Sequence, residues 1–271
     1  MEYLIYFFIF FFGAAIGSFL NVLIDRLPKG EKITGRSHCD HCHHQLSWQD
    51  LLPIVSFFAL GGKCRYCHKK LSWQYPLVEF LTGIMFVIIS FFVLDLSNGL
   101  LEISNIKYQV SSIFRLIIYF GLVSSLIVVF FADFKYQIIP DSMQVAFFVF
   151  STIFNFQFSN FKFQILNSFV AALVVMSPIL LLWLVTKGKG MGFGDVKLAF
   201  NVGFLLGLKA GLLALYLAFI AGGIVGFFLL ISRKSKLESK IAFGPFIVIG
   251  TLVMLFWGEK IIEMIRGIYG F

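Results

Sequence analysis

Long apolar runs separated by short polar breaks dominate this chain. A helix needs about 20 apolar residues to cross bilayer hydrocarbon. On that rule the pattern predicts eight spans, at 3–23, 77–94, 113–132, 143–158, 163–185, 196–208, 210–232 and 243–257. The sixth is short and glycine-interrupted, and only Lys209 marks its junction with the seventh. One polar stretch, 26–76, is long enough for a folded loop. The expected fold is an all-α polytopic membrane protein of about eight transmembrane helices. Its segments are a first transmembrane helix (1–25), a four-cysteine loop (26–76) and a transmembrane core (77–271).

Composition agrees. Of 271 residues 59% are hydrophobic and 13% charged, with a mean hydropathy of +0.91. A soluble domain of this length has no means of hiding that much apolar surface. The 36 Phe residues read as lipid-facing and packing bulk. The first run is read as a retained span and not a cleaved signal, because only Glu2 precedes it and its basic cluster follows. A net charge of +8 invites a polyanion reading, but the charge is segregated. Arg26, Lys29, Lys32, Arg36, Lys63, Arg65, Lys69 and Lys70 share the first loop. Lys135, Lys187, Lys189, Lys197, Arg233, Lys234, Lys236 and Lys240 fall on the same side. Only Lys107, Arg115, Lys162, Lys209, Lys260 and Arg266 fall opposite. The positive-inside rule then makes the first loop cytoplasmic and puts both termini outside. The charge reports topology, and no nucleic-acid partner is expected; the surroundings are membrane lipid.

The loop repeats itself. Cys39–Gln49 (CDHCHHQLSWQ) matches Cys64–Gln74 (CRYCHKKLSWQ) at a period of 25. Two matched C-x2-C pairs, Cys39/Cys42 and Cys64/Cys67, suggest one tetrahedral thiolate site for structural zinc. The 21 residues between the pairs lie just beyond the usual range for two knuckles. Disulfides and free thiols are the plain alternatives, and a cytoplasmic loop disfavours disulfides. His38, His41, His43, His44 and His68 crowd the site, as replacement ligands or solvated neighbours. Trp48 and Trp73 recur in the repeat as packing or interfacial side chains.

Two aspartates stand out in the core. Asp133 closes the third span in FADFKYQIIPD, and Asp195 opens the sixth in GMGFGDVK. A carboxylate at a helix centre in hydrocarbon costs roughly 2.5–3.5 kcal/mol on insertion scales. Both are expected at cytoplasmic span ends, where two carboxylates sharing one proton would activate water. The plain readings are a helix cap for Asp195 and an interfacial stop, beside Lys135, for Asp133. Asp141, after Pro140, reads as the N-cap of the fourth span. Gly203-x3-Gly207-x3-Gly211 and Gly222-x3-Gly226 read as helix-packing faces. No nucleophilic triad and no phosphate loop presents itself. A transporter using the two Asp as ion or proton sites, and a non-catalytic scaffold docking partners through the zinc loop, are the rival classes.

Taken in order, GSFLNVLIDRLP (Gly17–Pro28), the paired C-x2-C loop, YPLVE (Tyr75–Glu79), D-x6-PD (Asp133–Asp141) and GFGDVK resemble the type IV prepilin peptidases. The motifs cover Gly17 to about Lys197. The resemblance implies an eight-span fold with a GxGD-type aspartyl dyad near the cytoplasmic face, Asp133 and Asp195. It implies cleavage of prepilins or pseudopilins after a Gly that ends a basic leader. N-methylation of the new terminus with S-adenosylmethionine follows. Cys39, Cys42, Cys64 and Cys67 match the family's metal-binding loop. Glu79, in the region linked to methyl transfer, is a candidate there or an interfacial Glu. No glycine fingerprint for a cofactor is present. Asp40, Asp50 or Glu79 would offset repulsion between the basic loop and a basic leader.

Overall fold

The computed structural model describes residues 2–94, 106–157, 161–231 and 242–269. The helices are α1 (Glu2–Arg26), α2 (Val55–Ala59), α3 (Gln74–Leu94), α4 (Ile106–Tyr136), α5 (Asp141–Gln157), α6 (Phe161–Thr186), α7 (Phe193–Ile231) and α8 (Gly244–Tyr269). A short 3-10 turn covers Trp48–Leu51. No strand forms among the described residues, only two isolated bridges. Among the described residues six helices are long and apolar enough to cross a membrane; α5, with 17 residues, is shorter. The protein is a multi-pass, all-helical membrane protein. The basic run at Arg233, Lys234, Lys236 and Lys240, and the expected span ends at Phe158 and Ser232, lie outside the described residues.

The chain divides into two compact units at Val128/Val129, inside α4. In the first, α1 and α3 meet at small residues. A Cβ on Gly13 would lie 2.9 Å from the Gly83 Cα, and one on Gly17 would lie 2.7 Å from the Glu79 Cα. Backbones approach this closely in membranes because dispersion contacts, not apolar burial, hold helices together there. Phe120 of α4 stacks on Phe86 of α3 at 3.9 Å.

In the second unit α7 is two helices. Gly207 has φ 75° and ψ −177°, a conformation essentially confined to glycine. The chain folds back there: a Cβ on Gly211 would lie 3.3 Å from the Gly203 Cα, whereas eight residues of unbroken helix separate their ends by about 12 Å. Val175 of α6 packs against both glycines. The spaced glycines thus form a hairpin closed on α6. Counted by segment, the described residues hold the eight long helices expected. The junction lies at Gly207 and not at Lys209, because backbone conformation sets the turn and the charge only flanks it. Before the reversal, the Phe204 carbonyl accepts from Asn155 Nδ2 of α5 at 2.8 Å.

Candidate active site and metal centre

Asp133 lies in the last turn of α4 and is buried. Gln137, at φ 54°, ends that helix, its N–H donating to the Asp133 carbonyl at 2.8 Å. The segment 138–140 then leads into α5. Oδ2 of Asp133 accepts the N–H of Gly244 at 2.9 Å. That N–H is the first of α8, one of the orphan donors at a helix start, and the dipole there favours negative charge. Pro245 follows, suited to the first turn because its missing N–H is not needed.

Asp195 is the third residue of α7, with Gly192 at the capping position. The Asp195 N–H donates to the Gly192 carbonyl at 3.2 Å. The Gly192 N–H donates to Asp195 Oδ2, also at 3.2 Å. This is the reciprocal half of a capping box, an acid reaching back to the N-cap amide. Oδ1 is left buried with no hydrogen-bond partner, although an orphaned buried acceptor is costly. Capping thus uses one carboxyl oxygen and leaves the other.

Asp133 and Asp195 line one cleft of about 480 Å³, together with Ile139, Gly194 and Phe243. Ile139 fits between the two carboxyl environments: a Cβ on Gly194 or on Gly244 would come within 3.2 Å of its side chain. Each aspartate has one oxygen held by a glycine N–H. Asp141 is the first residue of α5 and not its N-cap; the Pro140 carbonyl accepts from Met143 and Gln144 instead. Its carboxylate pairs with Lys197 Nζ at 2.7 Å on the exposed rim.

Two buried amides went unremarked in the sequence. Asn201 Nδ2 donates to the Gln144 carbonyl at 3.1 Å and to its Oε1 at 3.0 Å. Gln144 Nε2 then donates to the Gly194 carbonyl at 2.9 Å. The available signal was an amide inside an apolar run, a costly choice in a membrane helix. Gly244 carried no such signal, since it acts through its main chain.

In the other unit the loop repeat is written in hydrogen bonds. Cys39 N–H donates to the His44 carbonyl and Cys64 N–H to the Lys69 carbonyl; His43 donates to Cys39, and His68 to Cys64. His43 and His68 share a positive φ, 55° and 56°. Bridges pair His38 with Gln45 and Lys63 with Lys70. Every one of these recurs 25 residues on. The four cysteines are free thiols whose sulfurs all lie within 4.8 Å of one another, with no histidine in the group. Cys39 and Cys67 Sγ are 3.9 Å apart; metal–sulfur bonds of about 2.3 Å give a tetrahedron with edges of about 3.8 Å. Burial pushes the Cys64 thiol up, but the Cys67 and Tyr66 N–H groups and neighbouring thiols outweigh it and bring it down to about 7. Cys67 goes the other way, to about 11: the Lys69 N–H favours its thiolate, but desolvation and three neighbouring thiols prevail. Such a cage suits a metal cation.

Asp50 ties the two halves of the loop. It accepts Arg65 Nε at 2.7 Å and the Ser47 N–H and hydroxyl at 3.0 and 2.8 Å. Burial raises its pKa, but the Ser47 and Arg65 bonds outweigh this and hold the carboxyl below the usual range. Glu79 Oε2 accepts the Ile54 N–H at 2.7 Å, Ile54 being held at φ 62°. Asp40 accepts the Tyr75 hydroxyl at 3.1 Å. The three acids expected to meet a basic leader therefore have partners within their own unit. Trp48 and Trp73 are mostly exposed, with Trp73 also against Phe57 at 5.0 Å.

Comparison with known proteins supplies two family matches, the bacterial peptidase A24 N-terminal domain over residues 11–93 and the type IV leader peptidase family over residues 120–227. A Legionella pneumophila protein named prepilin leader peptidase/N-methyltransferase is 30% identical over 94% of this chain and 92% of its own length. Proteins of the same name from Stutzerimonas stutzeri and Aeromonas hydrophila are each 28% identical, covering 92% and 93% of this chain and 89% and 91% of theirs. No solved structure matches.

Proposed function

From the premise that this chain belongs to the type IV leader peptidase family, we propose that it removes the basic leader of type IV prepilins or pseudopilins, cutting after a Gly, and then N-methylates the new terminus. The observation that carries the peptidase reading is the pair Asp133 and Asp195 in one cleft, each with one oxygen fixed by a glycine N–H. One carboxylate takes a proton from water, which attacks the scissile carbonyl. The other carboxyl donates a hydrogen bond to that carbonyl, and the proton passes to the leaving amine. The proton is shared, so the acid and base roles belong to the pair. The orphan Oδ1 of Asp195 supports a water-holding role for that oxygen.

The reading places the protein in the bacterial inner membrane, with the dyad facing the cytoplasm and both termini outside; the charge segregation supports this. Within it, 26–76 is the zinc-binding loop and 77–271 the peptidase core. Cys39, Cys42, Cys64 and Cys67 would hold zinc, which supplies folding energy to a loop with little core of its own. S-adenosylmethionine would supply the methyl group. Glu79, whose Oε2 accepts the Ile54 N–H, is the candidate side chain in the region linked to methyl transfer. Ion transport gains no support from relatives that carry peptidase names.

The test is incubation of membranes holding the full chain with a prepilin, read by mass. Loss of the leader plus one added methyl mass is expected. An intact prepilin would sink the peptidase reading, and an unmethylated mature product the second half.

A further inference from the structure

We propose that Gln144 and Asn201 are positioning residues that aim the Asp195 carboxyl, by clamping the peptide plane that precedes it. The inference rests on the dyad reading above. The Gly194 carbonyl and the Asp195 N–H belong to one rigid peptide unit. Its oxygen end is held by Gln144 Nε2 at 2.9 Å. Its N–H end is held by the Gly192 carbonyl at 3.2 Å. With both ends bonded, the orientation of this plane in the first turn of α7 is held from two sides. The direction of the Asp195 Cα–Cβ bond follows.

Asn201 fixes which way Gln144 faces. An amide nitrogen only donates and an amide oxygen only accepts. Asn201 Nδ2 serves both the main-chain carbonyl and Oε1 of Gln144. With Oε1 taken as acceptor, Nε2 is turned to the Gly194 carbonyl. The relay therefore runs from Asn201 on α7 through Gln144 on α5 to the first turn of the same α7. Both side chains are about 95% buried, so water does not compete for the bonds. Buried amides in an apolar unit persist only where the network is complete, and this one ends on the residue before Asp195.

The experiment uses the purified full chain and a prepilin, with Asp195→Asn alongside. Gln144→Leu removes the donor and is expected to lower kcat about 100-fold with little change in KM, the scale for misplacing a reacting group by about 1 Å. Gln144→Glu keeps the oxygen for Asn201 but replaces the N–H. When ionised it faces the Gly194 carbonyl with no donor; when protonated it offers an O–H in the same place. Its activity relative to the unsubstituted protein should therefore climb as pH falls, while that of Gln144→Leu stays low. A purely structural amide would instead change the yield and Tm of folded protein and leave kcat per folded molecule at the unsubstituted value, so activity is normalised to folded protein. Unsubstituted kcat and pH profile in both variants, with Asp195→Asn dead, would overturn the positioning role and leave the dyad standing. Cleavage by Asp195→Asn would overturn the dyad reading and this inference with it. Should Gln144→Leu fail to accumulate, the Gln144→Glu ratio decides alone, a flat ratio across pH counting against the proposal.

Discussion

Gly244 donates its backbone N–H to Asp133 Oδ2 across 111 positions of sequence, and a Cβ added there would lie 2.7 Å from that same oxygen. Glycine is required for the approach, and the carboxyl is held by the first amide of a helix. Gly244→Ala should push Asp133 aside and lower prepilin cleavage about 100-fold. Metal content and methylation of a substrate supplied already cleaved should persist. Mass analysis of both products checks this, and cleavage at the unsubstituted rate would deny Gly244 its role.

Asp133→Asn and Asp195→Asn should each abolish leader removal while the protein remains in the membrane. Asp141→Asn should keep activity, because its partner is Lys197 on an exposed rim, where an ion pair contributes only about 0.2–1 kcal/mol. A prepilin assay with all three decides. Complete loss in Asp141→Asn would mean the wrong acid of the D-x6-PD motif has been chosen.

The thiol cage should hold about one zinc per chain. Cys→Ser at any of the four positions, or chelation, should release it and expose 26–76 to protease. Metal analysis of freshly reduced protein is the check, and a metal-free loop resisting protease equally well would refute a structural role.

Asp50 gives a pH signature. Its folded-state pKa lies below the ordinary 3.8. Its contribution to stability is therefore fully present above that value and is lost as pH falls through the lowered one. Asp50→Asn should loosen the loop at neutral pH, and its deficit should shrink on acidification. Hydrogen exchange across 47–66 reads this; a deficit constant with pH would argue against an ionised Asp50.

Gly207→Ala should destabilise the α7 hairpin by roughly 1–3 kcal/mol, the cost of a side chain in a glycine-only conformation. A lowered Tm in detergent is expected, and an unchanged one would mean that the turn tolerates other dihedrals.

The sequence by itself determined the class and the elements. Apolar runs report local hydrophobicity, so the eight helices were readable. The 25-residue repeat foretold two identical turns because hairpin hydrogen bonds are local. The motifs around Asp133 and Asp195 marked two costly carboxyls. Tertiary structure decided the rest. Where α7 folds back depends on one glycine dihedral, not on the nearby Lys209. That Glu79 anchors Ile54, and Asp50 binds Arg65, depends on how the loop closes. Gly244, Gln144 and Asn201 reach Asp133, the α7 turn before Asp195 or one another through bonds between residues 50 to 111 apart, several of them to main-chain groups that every residue carries. Such partners leave no pattern along the chain, because the backbone donor or acceptor is the same whatever the side chain.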